Sequence, residues 1–177
     1  NVLKPLEKEY PEFQLFGPAP IDFNKRIGKC AKPPVLSSEC ECADDALCDA
    51  SFSIVDLFDR GKTRVGIVLN TDEHTEGGSH WKLVYVEKEE NEVEIYKYDS
   101  SKGLEEEEVR ALIEGMRKEL QESDKYKNVY VYEDENARAE QKSTSECGMY
   151  SLVFLLERVK RERLLPVDEE KDEDEDE

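Results

Sequence analysis

Three residues in this 177-residue chain carry the chemistry of a nucleophilic site: His80 in GGSHWKLVYV, Asp99 in EIYKYDS and Cys147 in TSECGMY. A cysteine thiolate is a strong nucleophile, and an imidazole can take its proton and later return it to a leaving group. A carboxylate that accepts from one imidazole nitrogen fixes the tautomer, leaving the other nitrogen as the base. The order His, Asp, Cys is therefore chemically complete for attack on an acyl carbon. Taken singly, each residue has a plainer explanation. His80 alone reads as a structural histidine, Asp99 as a turn former or helix cap, and Cys147 as a small buried hydrophobe.

The surrounding pattern supplies elements that would bring them together. RVGIVLN (residues 64–70) is a short apolar run after a Gly-Lys turn and predicts a buried strand. In HWKLVYVEKEENEVEIYKYDS, apolar residues alternate on both sides of EKEEN, so the spacing predicts a β-hairpin. Such a hairpin returns Asp99 to the edge where His80 starts. LEEEEVRALIEGMRKEL places Leu104, Val109, Leu112, Ile113, Met116 and Leu120 on one helical stripe. YKNVYVYED predicts another strand, and CGMYSLVFLLERVKRERLL a helix headed by Cys147. A thiol at a helix N-terminus meets the positive end of the dipole, which favours the thiolate. Residues 1–36 are rich in proline and exclude long helices, although FGPAPIDF reads as an extended segment that packs Phe16, Ile21 and Phe23 onto a domain surface. Residues 44–60 predict one or two short helices. The order of elements indicates an α+β fold, with a mostly antiparallel central sheet flanked by helices and the nucleophile at the start of a core helix. Three regions follow: an N-terminal extension with a small helical subregion (1–63), a catalytic core (64–165) and an acidic tail expected to be disordered (166–177).

GSHW, then YDS with its Asp nineteen residues after the His, then QKSTSECGMY with Gln six residues before the Cys, resembles the ubiquitin-like-protein protease family. That family includes SUMO-specific proteases and the adenovirus-type and large-DNA-virus maturation proteases. The resemblance spans residues 64–160, and GIVLNTDEHTEGGSHW with FGPAPIDF looks closer to the large-DNA-virus branch. It implies a papain-like fold in which Cys147 is the nucleophile, His80 the general base and Asp99 its orienting acid. The Gln141 side chain and the Cys147 backbone N–H would form the oxyanion hole, where one preorganised donor contributes roughly 3–4 kcal/mol to the transition state. Trp81 would roof a channel admitting only glycine before the scissile bond, with Gly148 allowing a tight turn behind the nucleophile. The implied activity is a cysteine endopeptidase that cuts after Gly-Gly or Gly-X-Gly type sites, such as those of a viral structural polyprotein. A deSUMOylase or ubiquitin-like-protein isopeptidase is one alternative, and a Cys-dependent acetyltransferase of related scaffold is another. No counterpart is evident of the N-terminal segment by which deSUMOylases grip their substrate, and RVKRER is the one candidate basic patch for a coenzyme A.

The net charge of −19 disfavours direct binding to nucleic acid, and eight of those units lie in DEEKDEDEDE at the C-terminus. No run is long and apolar enough to cross a membrane. The five cysteines, an odd number without a secretory signal, predict free thiols in an intracellular reducing compartment: the cytoplasm or nucleus of a host cell, or the interior of a virion. Zinc is the alternative for Cys30, Cys40, Cys42 and Cys48, but their spacing lacks the C-x2-C knuckles of common structural sites. The expectation is a monomer acting on a protein substrate, without metal or cofactor.

Overall fold

The structure, a computed structural model, describes residues 4–28, 40–48, 51–77, 80–99, 106–133 and 147–160. The strongest sequence signals become the centre of a five-stranded sheet. Strand β4 (Arg64–Asn70) pairs antiparallel with β5 (Trp81–Glu89), and β5 pairs antiparallel with β6 (Glu92–Tyr98). The β5–β6 turn is tight, with Glu89 opposite Glu92 and Glu90 at a positive φ of 51°. Two parallel strands complete the sheet. Strand β1 (Phe13–Pro20) lies along β4, and β7 (Asn128–Glu133) along β6, giving the order β1-β4-β5-β6-β7. Strands β2 (Arg26–Gly28) and β3 (Cys40–Cys42) form a small antiparallel pair. Three of the five strand pairings are thus antiparallel, in an α+β architecture.

The stretch FGPAPIDF is extended as expected, but it enters the main sheet instead of lying on its surface. Ile21 and Phe23 are buried in the core. Gly17 makes this possible: its φ is 88°, and a Cβ there would strike the Val68 carbonyl. The register of β1 against β4 shifts at this point, between Phe16 and Ala19.

Period-2 alternation sorts the sheet residues onto two faces. Val65, Ile67, Leu69, Val84, Val86, Val93 and Ile95 face one side. There they meet α2 (Ile54–Asp59) and the apolar stripe of α3 (Glu107–Glu122), formed by Val109, Leu112, Ile113, Met116 and Leu120. Glu119 of α3 ties the two helices: it accepts from the Ser53 hydroxyl and from the backbone N–H groups of Ile54 (3.2 Å) and Val55 (3.3 Å). The opposite face carries Val68, Leu83, Tyr85 and Tyr98, covered by α1 (Lys4–Glu9) and α4 (Cys147–Lys160) through Leu6, Leu155 and Val159.

The seating of α4 depends on β4. Gly66 leaves the space that Leu155 and Phe13 fill, because a Cβ there would lie 2.9 Å from Leu155 Cδ1 and 3.3 Å from Phe13 Cε2. Gly66→Val is expected to destabilise the fold by about 1–3 kcal/mol through overpacking, measurable by urea unfolding. A wild-type midpoint would show that the helix can shift without cost. At the far end of α4, the buried Arg64 donates from Nη1 to the Val159 carbonyl (3.0 Å) and lies 3.4 Å from Glu87. Burial raises the Glu87 carboxyl above its ordinary value, an effect only partly offset by Arg64. A carboxyl raised in the folded state contributes stability at low pH that is lost as pH rises through its folded value. Wild type should therefore lose more stability than Glu87→Gln between about pH 4 and pH 7 in parallel unfolding titrations. Equal losses would remove this role.

The thiols differ from expectation in one place. Cys42 and Cys48, both buried, are joined as a disulfide with Cα atoms 5.9 Å apart. Their six-residue separation lets the turn after β3 fold one onto the other, a pairing that cysteine spacing alone did not single out. Among the described residues, no group of three or more His, Cys, Asp or Glu could hold a metal ion. No described helix is long and apolar enough to cross a membrane. The acidic tail, Cys30 and the loop preceding Cys147 lie outside the described residues.

Candidate active site

The mouth of the β5–β6 hairpin brings two of the sequence-predicted residues into contact. His80 immediately precedes β5 and Asp99 immediately follows β6. The antiparallel register, with Leu83 opposite Tyr98, returns the chain to the same edge. There His80 Nε2 lies 2.7 Å from Asp99 Oδ1, a hydrogen bond in which the ring N–H donates to the carboxylate. Both side chains are largely shielded from water, at 18% and 11% exposure. This geometry occupies Nε2 and assigns any base chemistry to Nδ1. The alternative reading of Asp99 as a helix cap does not hold, since Glu106 is the N-cap residue of α3.

The loop entering His80 is anchored to the N-terminal segment. The Ile21 N–H donates to the Asp72 carbonyl (3.0 Å), and the Thr71 N–H to the His80 carbonyl (2.9 Å). Asp22 clamps His74 twice, through its backbone N–H (2.8 Å) and through Nδ1 (2.7 Å). Burial alone would raise the Asp22 carboxyl, but the hydrogen bonds from His74 and Lys25 hold it below its usual value.

Trp81 and Gly148 also meet. Trp81 faces the α4 side of the sheet, where a Cβ built on Gly148 would lie 3.3 Å from its Cδ1 and 3.7 Å from its Nε1. The bare glycine thus lets the indole rest on the first turn of α4, so the start of β5 and the start of α4 adjoin. Cys147 is the first residue of that helix. The Cys147 side chain and the whole of Gln141 lie outside the described structure.

One participant was not singled out from the sequence. Lys82, only 3% exposed, extends Nζ to within 3.0 Å of Asp99 Oδ2 and also pairs with Glu106. A signal existed, because Lys82 shares the parity of Val84 and Val86 and so occupies a core-facing position of the strand.

Comparison with known proteins places this arrangement in context. Over 157 residues the chain is 24% identical to a protein of Acanthamoeba polyphaga mimivirus that carries the name thiol protease, covering 88% of this chain and 44% of that one. The crystal structure of a protease from ASFV is similar in fold, with a TM-score of 0.53 and 22% identity over 62% of this chain and 43% of the other. The SUMO protease Ulp1 matches at a TM-score of 0.39 and 15% identity over 66% of this chain and 47% of its own, too distantly to carry weight. The chain spans less than half the length of these viral relatives. Residues 65–163 match the model of the Ulp1 protease family, C-terminal catalytic domain, and the chain belongs to that family.

Proposed function

We propose that the chain is a thiol endopeptidase in which Cys147 is the nucleophile, His80 the base and Asp99 the acid that orients it. The observation that most supports this reading is the His80–Asp99 hydrogen bond of 2.7 Å at the hairpin mouth, beside the helix that Cys147 heads. As the first residue of α4, Cys147 stands at the positive end of the helix dipole, which stabilises a thiolate. His80 Nδ1 takes the thiol proton, and the sulfur attacks the carbonyl carbon of the scissile peptide. The negative oxygen that forms is held by the Cys147 backbone N–H and the Gln141 amide. The imidazolium gives its proton to the leaving amine as the C–N bond breaks, leaving a thioester on Cys147. Water, deprotonated by His80, then releases the carboxylic acid and restores the thiol.

Trp81 would cover a channel for the residues before the scissile bond. A flat indole over extended backbone excludes a Cβ, which favours Gly-Gly or Gly-X-Gly type sites, as in a viral structural polyprotein. The test is a cleavage screen with glycine-containing peptide libraries and with ubiquitin- and SUMO-type substrates, each run against Cys147→Ala. Release of a ubiquitin-like protein in preference to peptides would establish an isopeptidase instead. Acetyl transfer from acetyl-CoA without peptide cleavage would make the site an acetyltransferase.

A further inference from the structure

We infer that Lys82 is a positioning residue that holds Asp99 in register with His80, an inference that rests on the catalytic roles proposed above. Four polar side chains form a line. His80 Nε2 meets Asp99 Oδ1 at 2.7 Å, Asp99 Oδ2 meets Lys82 Nζ at 3.0 Å, and Lys82 pairs in turn with Glu106. A carboxylate presenting one oxygen to an imidazole can still rotate about χ2. A fixed cation on the second oxygen removes that freedom.

The placement follows from the strands. Extending the β5–β6 register by one pair sets Lys82 directly across from Asp99, since Leu83 opposes Tyr98. Lys82 then points to the same face as Val84 and Val86, at the end of the core beneath α3. A leucine or methionine would fill that position without the desolvation cost of an ammonium group. What an apolar side chain cannot do is fix a carboxylate.

Glu106 gives the Lys82 ammonium a second anionic partner besides Asp99. It occupies the N-cap position of α3, where the helix dipole favours a negative charge, and its carboxylate pairs with the Lys82 ammonium instead of a backbone N–H of the helix. The catalytic acid is thereby tied to a helix outside the hairpin, on the opposite side of the sheet from α4.

Lys82→Met is expected to lower kcat for a glycine-containing peptide by about 10- to 100-fold with KM little changed, as for a misplaced base. Lys82→Arg should recover part of that loss. The distinguishing measurement is a double-mutant cycle. The effect of Lys82→Met should largely vanish in an Asp99→Ala background, because a residue acting through Asp99 has nothing left to hold. All variants are assayed well below their unfolding midpoints, with the folded fraction measured. Lys82→Met/Glu106→Gln provides a charge-balanced version should the single variant fold poorly.

An active wild type with Lys82→Met at full kcat would overturn the inference alone. Equal losses in the Asp99 and Asp99→Ala backgrounds would also overturn it, reducing Lys82 to a structural group. A wild type with no Cys147-dependent turnover, and with Cys147 alkylated by iodoacetamide no faster than in urea, would remove the catalytic reading and this inference with it.

Discussion

Cys147→Ala is expected to reduce cleavage of a glycine-containing peptide by on the order of 10⁴-fold or more, to the residue left by binding and oxyanion stabilisation alone. The methyl group of alanine has no electron pair to attack a carbonyl, so the thioester cannot form. The fold should survive, because Cys147 is the terminal residue of α4 and the helix is held by Leu155 and Val159 farther along. A Tm within about 2 °C of wild type would correspond to a change of about 1 kcal/mol or less. Loss of activity with that Tm assigns the effect to chemistry. A variant that still cuts the peptide at the wild-type rate would eliminate Cys147 as nucleophile.

Asp99→Asn should be the second largest effect, with kcat/KM falling by roughly 10²- to 10⁴-fold. An amide has one oxygen where the carboxylate has two. If that oxygen accepts from His80, the NH2 group is turned toward the Lys82 ammonium, donor against donor. If the amide flips to satisfy Lys82, its NH2 faces His80 and selects the tautomer that has lost its base at Nδ1. Either arrangement spoils one contact that the structure makes, at 2.7 Å to His80 or 3.0 Å to Lys82. Because both contacts are partly buried, stability should also fall, by about 1–3 kcal/mol. Steady-state kinetics and urea unfolding on the same preparation separate the two losses. Wild-type kcat/KM in Asp99→Asn would show that His80 needs no orienting acid.

The hairpin carrying His80 and Asp99 was legible because both its strands alternate and its turn is short, so local pattern determines which ends meet. The stripe of α3 was legible for the same reason, with Val109, Leu112, Ile113, Met116 and Leu120 all buried as the spacing predicts. The parallel edge strands were not. Neither β1 nor β7 is joined to its partner by a turn, and a parallel pairing leaves no mark in the nearby sequence. Composition drew a boundary near residue 63, yet Phe13, which lies before it, packs against the space left by Gly66 beyond it. Lys82 was passed over because lysine in a strand is usually read as solvent-facing. Its burial is visible only through parity with Val84 and Val86. The Cys42–Cys48 disulfide escaped because the odd cysteine count pointed to free thiols.

The two apolar clusters on opposite faces of the sheet have a consequence for how activity is lost. His80 and Asp99 flank the β5–β6 hairpin and Lys82 lies within β5, strands whose one face packs into the larger cluster beneath α2 and α3. Cys147 rides on α4, which is seated by the smaller cluster on the other face. On the roles proposed above, a subglobal opening that releases α4 alone would separate Cys147 from His80 while the sheet and α3 stay folded. Activity would then be lost on heating before the sheet unfolds and recover on cooling, an order that parallel activity and unfolding curves would reveal.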